Sequence, residues 1–334
     1  MSTRFALACS ALAAVVLAAM VLAAMVSGDP WSDHPVPVTA GPGPTTAVRP
    51  MAESSLGQAP ATPDCTPQNL RASLHPQGPL PAPGQMPVGS TMARISERGY
   101  LIVGVLEDIY PFAFLDQSSK LEGFDSDIAR DIAVAIFGAP EHVVFVPLRE
   151  AARFTTIASG QVDLVVAAAT IICPHPEQVD FSTVYYEARQ RVLVNRSSAI
   201  TGLDDLRGKR VCAARGSTSL RTILAAPSKP IPVGTATETD CLMLLQLGEV
   251  DAVSTDDTIL AGMKAQDPQT EIVGPPLHEE PYGVVINKNT PDLVRFVNAV
   301  LQRRAEDGRW RASYERWLQL LGPLPSPPTP QYRD

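Results

Sequence analysis

The stretches "SGQVDLVVAA" (159–168) and "LGEVDAVSTDD" (247–257) share one order of features. Each contains the end of a helical pattern, a glycine, an acidic turn and a short apolar run. An apolar run of this length between turn residues is typical of a buried strand. The two stretches fall in different halves of the folded region and so predict two similar lobes. In open α/β sheets ligands bind beyond the carboxyl ends of the strands, so we expect a shared cleft there.

Strand and helix patterns alternate through the rest of residues 92–320. "LIVGV" (101–105) predicts a buried strand, and "DSDIARDIAVAIFG" (125–138) has the apolar spacing of a helix, with Asp125 as its N-cap and Gly138 as its end. Strands separated by helices of about 10–15 residues indicate α/β units with parallel sheets. The sequence therefore predicts an α/β fold.

The two ends of the chain differ in composition from the folded region between them. Arg4 precedes an apolar run at 5–26, which is typical of a secretory signal or a membrane anchor and is long enough to span a bilayer. We assign residues 1–28 to this leader and residues 29–91, with 14 of the 32 prolines, to an extended spacer or arm. A proline-rich tail covers 321–334. We expect an extracytoplasmic protein, either secreted or anchored to the outer face of the cytoplasmic membrane by residues 5–26.

Charge and cysteine content narrow the function further. The net charge is −8, and the folded region lacks a Lys/Arg cluster, which argues against nucleic-acid binding. Four cysteines outside the leader of an exported chain indicate two disulfides in preference to a metal site. Of the three possible connectivities we prefer Cys212 with Cys241 and Cys65 with Cys173. We expect no metal and no cofactor.

The order of motifs carries a resemblance. "LEGFDSDIARDIA", "VDFSTVYYE", "DLRGKRVCAARGSTS", "EPYGVVINK" and "DGRWRASYERWL" follow one another along the chain. This order resembles the extracytoplasmic solute-binding proteins of the polar amino-acid family (family 3), the ligand receptors of ABC importers, and within them the actinobacterial glutamate/glutamine-type subgroup. The resemblance covers about residues 92–320.

The resemblance implies the type II periplasmic-binding-protein fold, in which two α/β lobes joined by a two-segment hinge close on the ligand. The implied boundaries are residues 92–189 plus 287–320 for lobe 1 and 197–278 for lobe 2, with the chain crossing near 190–196 and 279–286.

The resemblance also implies ligand contacts at strand ends and helix starts. Asp256 matches the position that pairs with the ligand's ammonium group. Ser217 and Thr218, at a helix start that suits an anion, match donors to its carboxylate, and Thr170 matches a further hydroxyl donor. Each residue also has a purely structural explanation. Asp256, Ser217 and Thr218 could cap their helices without contacting a ligand, and Thr170 could simply be the last residue of its strand.

Three more positions follow from the same resemblance. Arg153 matches an arginine that meets the side-chain carboxylate of acidic ligands. Tyr110 and Phe112 match an apolar wall beside the ligand's carbon chain. The structural alternatives are that Arg153 is a solvated residue on its helix and that Tyr110 and Phe112 belong to the aromatic core.

The stretch "TIICPHPEQVDFS" (170–182) departs from the family pattern. The family has an arginine that grips the α-carboxylate with two parallel hydrogen bonds, and His175 stands at that position here. Histidine offers one donor and is mostly neutral at pH 7, whereas arginine carries a permanent charge. Either the ligand is not an ordinary α-amino acid, or another cation such as Arg153 substitutes, or binding has decayed. A loop histidine without a role is the alternative for His175.

These features predict a binding protein and not an enzyme. We expect it to bind a small polar solute, such as glutamate, glutamine or aspartate, as a monomer that serves an ABC permease or a membrane sensor. The alternative functions are a sensing subunit that signals to a membrane partner and a receptor for a ligand that is not an amino acid. A dehydratase-like activity with Glu187 or Asp108 as the general acid is the least supported hypothesis, because the sequence lacks a recognisable set of catalytic residues.

Overall fold

The structure, a computed structural model, describes residues 70–172 and 179–334. The predictions on the leader at 5–26, on His175 and on the Cys65–Cys173 pair lie outside these residues. Within the two ranges, every helix is too short or too polar to cross a membrane.

Helices and strands alternate along the chain as the sequence predicts. The α-helices of the described residues are α1 (Thr91–Arg98), α2 (Phe124–Phe137), α3 (Arg153–Ala158), α4 (Thr218–Ala225), α5 (Glu238–Gln246), α6 (Asp257–Gln266), α7 (Pro291–Glu306) and α8 (Arg309–Trp317). Short 3₁₀ helices cover Glu150–Ala152, Leu203–Leu206 and Gln319–Leu321. The strands are β1 (Ala72–Ser73), β2 (Leu101–Val105), β3 (Asp108–Ile109), β4 (Ala113–Leu115), β5 (Leu121–Glu122), β6 (Val143–Pro147), β7 (Leu164–Val165), β8 (Val179–Phe181), β9 (Tyr186–Asn195), β10 (Arg210–Ala214), β11 (Ile231–Thr235), β12 (Ala252–Asp256), β13 (Thr270–Val273), β14 (Glu279–Tyr282), β15 (Val285–Asn287) and β16 (Gln331–Tyr332).

Lobe 1 is built on a five-stranded sheet in the order β6-β2-β7-β15-β8. Strand β2 runs parallel to β6 and β7, and β15 runs antiparallel to β7 and β8. Helix α2 buries Ile128, Ile132 and Ile136 completely. These side chains recur every four residues, so they share one face of the helix. Gly138, with φ 86°, ends it as predicted.

The predicted N-cap of α2 is wrong. The helix begins after Gly123, and Asp125 already lies inside it without a capping bond. A Cβ at Gly123, where φ is 125°, would lie 2.3 Å from the carbonyl oxygen of Phe112, so only glycine fits this entry. The Asp125 side chain is instead completely buried.

Lobe 2 is built on a sheet in the order β11-β10-β12-β9-β13. Strand β10 is parallel to β11 and β12, while β9 is antiparallel to β12 and β13. The sulfurs of Cys212 in β10 and Cys241 in α5 are bonded, with an S–S distance of 2.02 Å. The bond therefore joins β10 to α5.

Two strands form the hinge between the lobes. Tyr186–Arg189 of β9 pairs antiparallel with Glu279–Tyr282 of β14. The remainder of β9, residues 190–195, pairs with β12 and β13 inside lobe 2. The first crossing therefore begins a few residues before the predicted 190–196. The predicted α/β class, with two lobes and a two-segment hinge, is confirmed; the residue limits of the predicted lobes stay a prediction.

The lobes meet closely across the cleft. A Cβ at Gly262 would lie 1.8 Å from the carbonyl oxygen of Tyr110, and one at Gly216 would lie 2.6 Å from the Cα of Ala151. The hydroxyl of Thr239 in lobe 2 donates to the carbonyl oxygen of Asp108 in lobe 1 at 3.1 Å. This is a closed arrangement of the two lobes.

The arm and the tail pair with each other beside lobe 1. Strand β1 is parallel to β16, and the His75 and Tyr332 rings lie 4.3 Å apart. Arg333 donates to Asp180 at 2.6 Å and so ties the tail to β8. Arg71 bonds Glu187 and Glu279, one on each hinge strand.

Candidate functional site

The carboxylate of Glu280 joins both lobes at the hinge. It lies in β14 and accepts a hydrogen bond from the Thr218 hydroxyl at 3.0 Å, at the start of α4 in lobe 2. The backbone of Thr170 forms an isolated bridge with Tyr282, two residues along β14. Burial raises the pKa of Glu280, and the hydroxyls of Thr170 and Thr218 oppose this shift only in part. Thr218, a sequence-predicted carboxylate donor, thus binds a carboxylate of the protein itself.

Asp256 lies at the end of β12 with one oxygen bonded and one free. Its Oδ2 accepts a hydrogen bond from the Tyr282 hydroxyl at 2.5 Å. Its Oδ1 has no partner among the described residues, although Asp256 is only 4% exposed. Burial, followed by the nearby charge of Glu280, raises the pKa of Asp256 well above its usual value. Asp256 occupies the N-cap position of α6, but its side chain makes no capping bond, so the capping alternative does not describe it.

Glu238 is a second buried carboxylate of lobe 2 with a free oxygen. It is the first residue of α5 and is 2% exposed. Its Oε1 accepts from the Thr255 hydroxyl at 3.3 Å, and its Oε2 has no partner in the part of the chain that the structure describes. Burial raises its pKa strongly, and the charges of Glu150 and Asp256 add to the effect.

Arg153 faces this acidic group from lobe 1. It is 4% exposed, which excludes the solvated alternative, and its guanidinium donates to Glu150 Oε1 at 2.7 Å and to the carbonyl oxygen of Ala167 at 3.1 Å. Burial raises the pKa of Glu150, and the Arg153 charge opposes that shift. The positive charge of Arg153 is therefore already paired.

The cleft holds more negative than positive buried groups. Among the described residues, its buried acids are Glu150, Glu238, Asp256 and Glu280. Arg153 is the buried guanidinium beside them. Carboxylates that share a low-dielectric site raise one another's pKa, as the mutual influence of Glu238, Glu150 and Asp256 shows.

A cavity of about 390 Å³ opens beside Glu280 at the hinge. Its lining includes Thr170, Thr218, Arg221 and His278, but neither Asp256 nor Arg153. A volume in this range suits a small polar molecule.

The side chains at the remaining predicted positions make structural contacts. Ser217 caps α4, since its hydroxyl donates to Ala214 O at 2.8 Å and accepts from Leu220 N at 3.0 Å. Phe112 is completely buried and packs edge-on against Tyr186 and Tyr282, so the structure places it in the aromatic core.

Tyr110, the other predicted wall residue, is half-buried and stacks edge-on with Phe114 at 4.9 Å. It precedes a cis bond to Pro111. Its carbonyl oxygen faces Gly262 of the opposite lobe, so it lies at the contact between the lobes.

The sequence reasoning missed Glu280, Tyr282 and Glu238. Glu280 and Tyr282 lie within the quoted "EPYGVVINK" motif, which contributes to the family resemblance but to no predicted ligand contact. An acid beside an apolar strand is the signal that could have indicated a functional role, because charged groups are rarely buried without a partner.

Asp125 holds the edge of the site from lobe 1. Its carboxylate accepts from the backbone N–H of Ala168 at 2.7 Å and from the Tyr185 hydroxyl at 2.9 Å. Ala168 has φ 43°, an unfavourable conformation for a residue other than glycine. Burial raises the pKa of Asp125 to about 7. Asp125 thus fixes the backbone turn that leads to Thr170.

Comparison with known proteins identifies the same architecture. The family model of the bacterial extracellular solute-binding proteins, family 3, matches residues 101–320. The glutamine-binding protein of an ABC transporter from Bacillus subtilis (strain 168) is 33% identical over 231 residues, which cover 69% of this chain and 85% of that protein. A glutamate/glutamine/aspartate/asparagine-binding protein of Rhodobacter capsulatus is 30% identical over 238 residues, 68% of this chain and 70% of the relative.

A solved structure also resembles this chain in fold. The solute receptor for L-cysteine of Neisseria gonorrhoeae superimposes with a TM-score of 0.66 and 28% identity, over 69% of this chain and 94% of the receptor.

Proposed function

Because the chain belongs to the bacterial extracellular solute-binding proteins of family 3, we propose that it captures a small amino-acid-like solute outside the cytoplasm by closing its two lobes over the ligand's ammonium group. The observation that carries this proposal is the free Oδ1 of Asp256. A buried carboxylate oxygen without a donor is costly unless a ligand supplies one.

The site residues have distinct roles in this proposal. Asp256 receives the ammonium group, with Tyr282 holding its other oxygen. Thr170 and Thr218 face the polar end of the ligand. Arg153 balances the charge of Glu150. His175 stays a predicted contact outside the described residues.

Binding and delivery follow from the hinge without covalent chemistry. Closure of the lobes over a ligand presents a surface that the open form lacks, and a membrane partner can select it. We propose an ABC permease as that partner, with a membrane sensor as the alternative, and a monomeric receptor without catalytic activity.

Calorimetric titration of the purified full-length protein tests the proposal. The panel contains glutamate, glutamine, aspartate, asparagine, arginine and lysine. We expect at least one to bind, and D256N to weaken it by about tenfold or more, because a charged hydrogen bond contributes roughly 1.5–3 kcal/mol. Asp204→Asn, an exposed acid in lobe 2, is the matched control. Binding that D256N leaves unchanged would remove Asp256 from the site.

A further inference from the structure

We propose that the receptor prefers an α-amino acid with a cationic side chain, and that Glu238 binds this side chain while Asp256 binds the α-ammonium group. The inference rests on the proposed function and names the ligand class of the same site. Glu238 has no predicted ligand contact in the family resemblance, which instead implies an acidic side chain beside Arg153.

Glu238 has a buried carboxylate oxygen that lacks a donor. The residue is 2% exposed, its Oε1 accepts from the Thr255 hydroxyl at 3.3 Å, and its Oε2 has no partner among the described residues. The N-terminus of α5 does not need this carboxylate, because Thr237 and Asp240 form the capping box there. A buried carboxylate without a donor is costly, so a ligand that brings an N–H group to Oε2 would stabilise the closed protein.

The free oxygens of Glu238 and Asp256 lie on two sides of one strand end. Thr255 and Asp256 are the last two residues of β12, and the Thr255 hydroxyl bonds Glu238. Successive side chains of a strand point to opposite faces of the sheet. Glu238 therefore meets β12 on the face opposite to the Asp256 carboxylate. Two separated cationic groups on one ligand can satisfy both oxygens, whereas a lone α-ammonium group suits only one of them.

The charges that act most strongly on Glu238 are negative. Burial raises its pKa well above the usual value, and the charges of Glu150, Asp256 and Asp108 raise the pKa further. Arg153 donates to Glu150 at 2.7 Å, so its positive charge is already paired. An acidic side chain placed beside Glu238 would add to the repulsion, and a cationic side chain would compensate it.

Glu238 and Glu150 lie where the two lobes meet. Thr239, which follows Glu238 in α5, donates its hydroxyl to the carbonyl oxygen of Asp108 in lobe 1 at 3.1 Å. Ala151, which follows Glu150, lies against the turn before α4 of lobe 2. Closure thus brings acids of both lobes together, and a positive side chain between them favours the closed form.

The test compares amino acids that share the α-ammonium and α-carboxylate groups and differ in the side chain. Arginine is paired with citrulline, which has nearly the same shape without the charge. Lysine is paired with norleucine, which lacks the side-chain amine. Calorimetry on the full-length protein at pH 7 measures each affinity. We expect the cationic member of at least one pair to bind about tenfold or more tightly, the effect of one charged hydrogen bond.

A variant assigns this preference to Glu238. Glu238→Gln keeps the shape and removes the charge, so we expect the preference for the cationic member to disappear while the binding of citrulline and norleucine changes little. Glu271→Gln removes an exposed acid from β13 of the same lobe and should leave the preference unchanged. Thermal unfolding of each variant shows that it is folded.

The outcomes separate this inference from the proposed function. Equal affinity within both pairs, or a preference that survives in Glu238→Gln, overturns the inference and leaves the amino-acid receptor intact. Tighter binding of glutamate than of glutamine also overturns it, since Glu238 would then keep its proton and donate it to the ligand. A folded protein that binds none of these amino acids overturns both.

Discussion

The hydroxyl of Tyr282 donates to Asp256 Oδ2 at 2.5 Å, and this bond connects a hinge strand to the candidate ammonium site. Tyr282 pairs with Tyr186 in the two hinge strands and is completely buried. Thr258, in the first turn of α6, lies 2.9 Å from the same hydroxyl. A rotation of lobe 2 that moves Asp256 away from Tyr282 would break this hydrogen bond. The position of the hinge and the hydrogen bonding of Asp256 are therefore coupled.

Replacing Tyr282 by phenylalanine tests that coupling. Y282F leaves Asp256 without its donor, so we expect the free energy of unfolding to fall by about 1–3 kcal/mol. The loss should grow as the pH rises, because the bond favours the ionised form of Asp256. Denaturant unfolding at pH 5 and pH 8 measures both effects. Y100F, at a half-exposed tyrosine, is the control, and an equal loss in both variants would contradict the coupling.

Ligand binding should release protons. Burial and neighbouring acids raise the pKa of Asp256, Glu238 and Glu280. A cationic group beside them favours the ionised forms and lowers these pKa values. We therefore expect calorimetry near pH 6–7 in two buffers of different ionisation enthalpy to show net proton release. Net proton uptake would show that the acids are not in contact with the ligand's positive groups.

Asp125 should make the ligand-free protein less stable as the pH rises. Its folded pKa of about 7 lies above the usual value of 3.8, so the folded protein keeps a proton that the unfolded chain releases. The contribution of this group is fully present below pH about 4 and is lost as the pH rises through about 7.

The variant D125N tests this pH dependence. We expect it to reduce the slope of stability against pH between 4 and 7, with the other buried acids supplying the remainder. The measurement is the unfolding midpoint across that range, with D204N as the exposed control. An unchanged slope in D125N would show that Asp125 does not hold the proton.

The Cys212–Cys241 bond should stabilise lobe 2. The two cysteines are 29 positions apart and completely buried, and closing a loop of this length contributes about 3–4 kcal/mol by restricting the unfolded chain. We expect the double variant C212A/C241A to lose free energy of unfolding in this range. Peptide mapping without reductant checks the pairing itself, and a peptide that joins Cys212 to another cysteine would overturn it.

The sequence predicted the lobes because their signals are local. Glycine, an acidic turn and an apolar run identify β7 and β12 without any distant contact, and the strand ends then place Thr170 and Asp256 at one cleft. Thr170 and Thr218 do line one cavity, but Thr218 binds Glu280, a residue to which the sequence assigns no role.

The rest of the site depends on contacts between distant parts of the chain. Glu238 resembles an ordinary acid in the first turn of a helix, yet it is buried, and its hydrogen-bond partner Thr255 lies in a different strand. Asp125 likewise matches an N-cap pattern, whereas its partners, Ala168 and Tyr185, lie far along the chain. Local periodicity carries no information about such partners.

The pairing of β1 with β16 has a consequence for the order of folding. His75 donates its backbone N–H to Asp334, and these residues are 259 positions apart. Contacts between such distant positions form late, because the entropy of closing a long loop must be overcome first. Lobe 2 lies within one continuous stretch and can fold early, whereas β1 can pair only after β16 has been synthesised. The β1–β16 pair therefore forms after the sheets of both lobes, which lie between the two strands in the sequence.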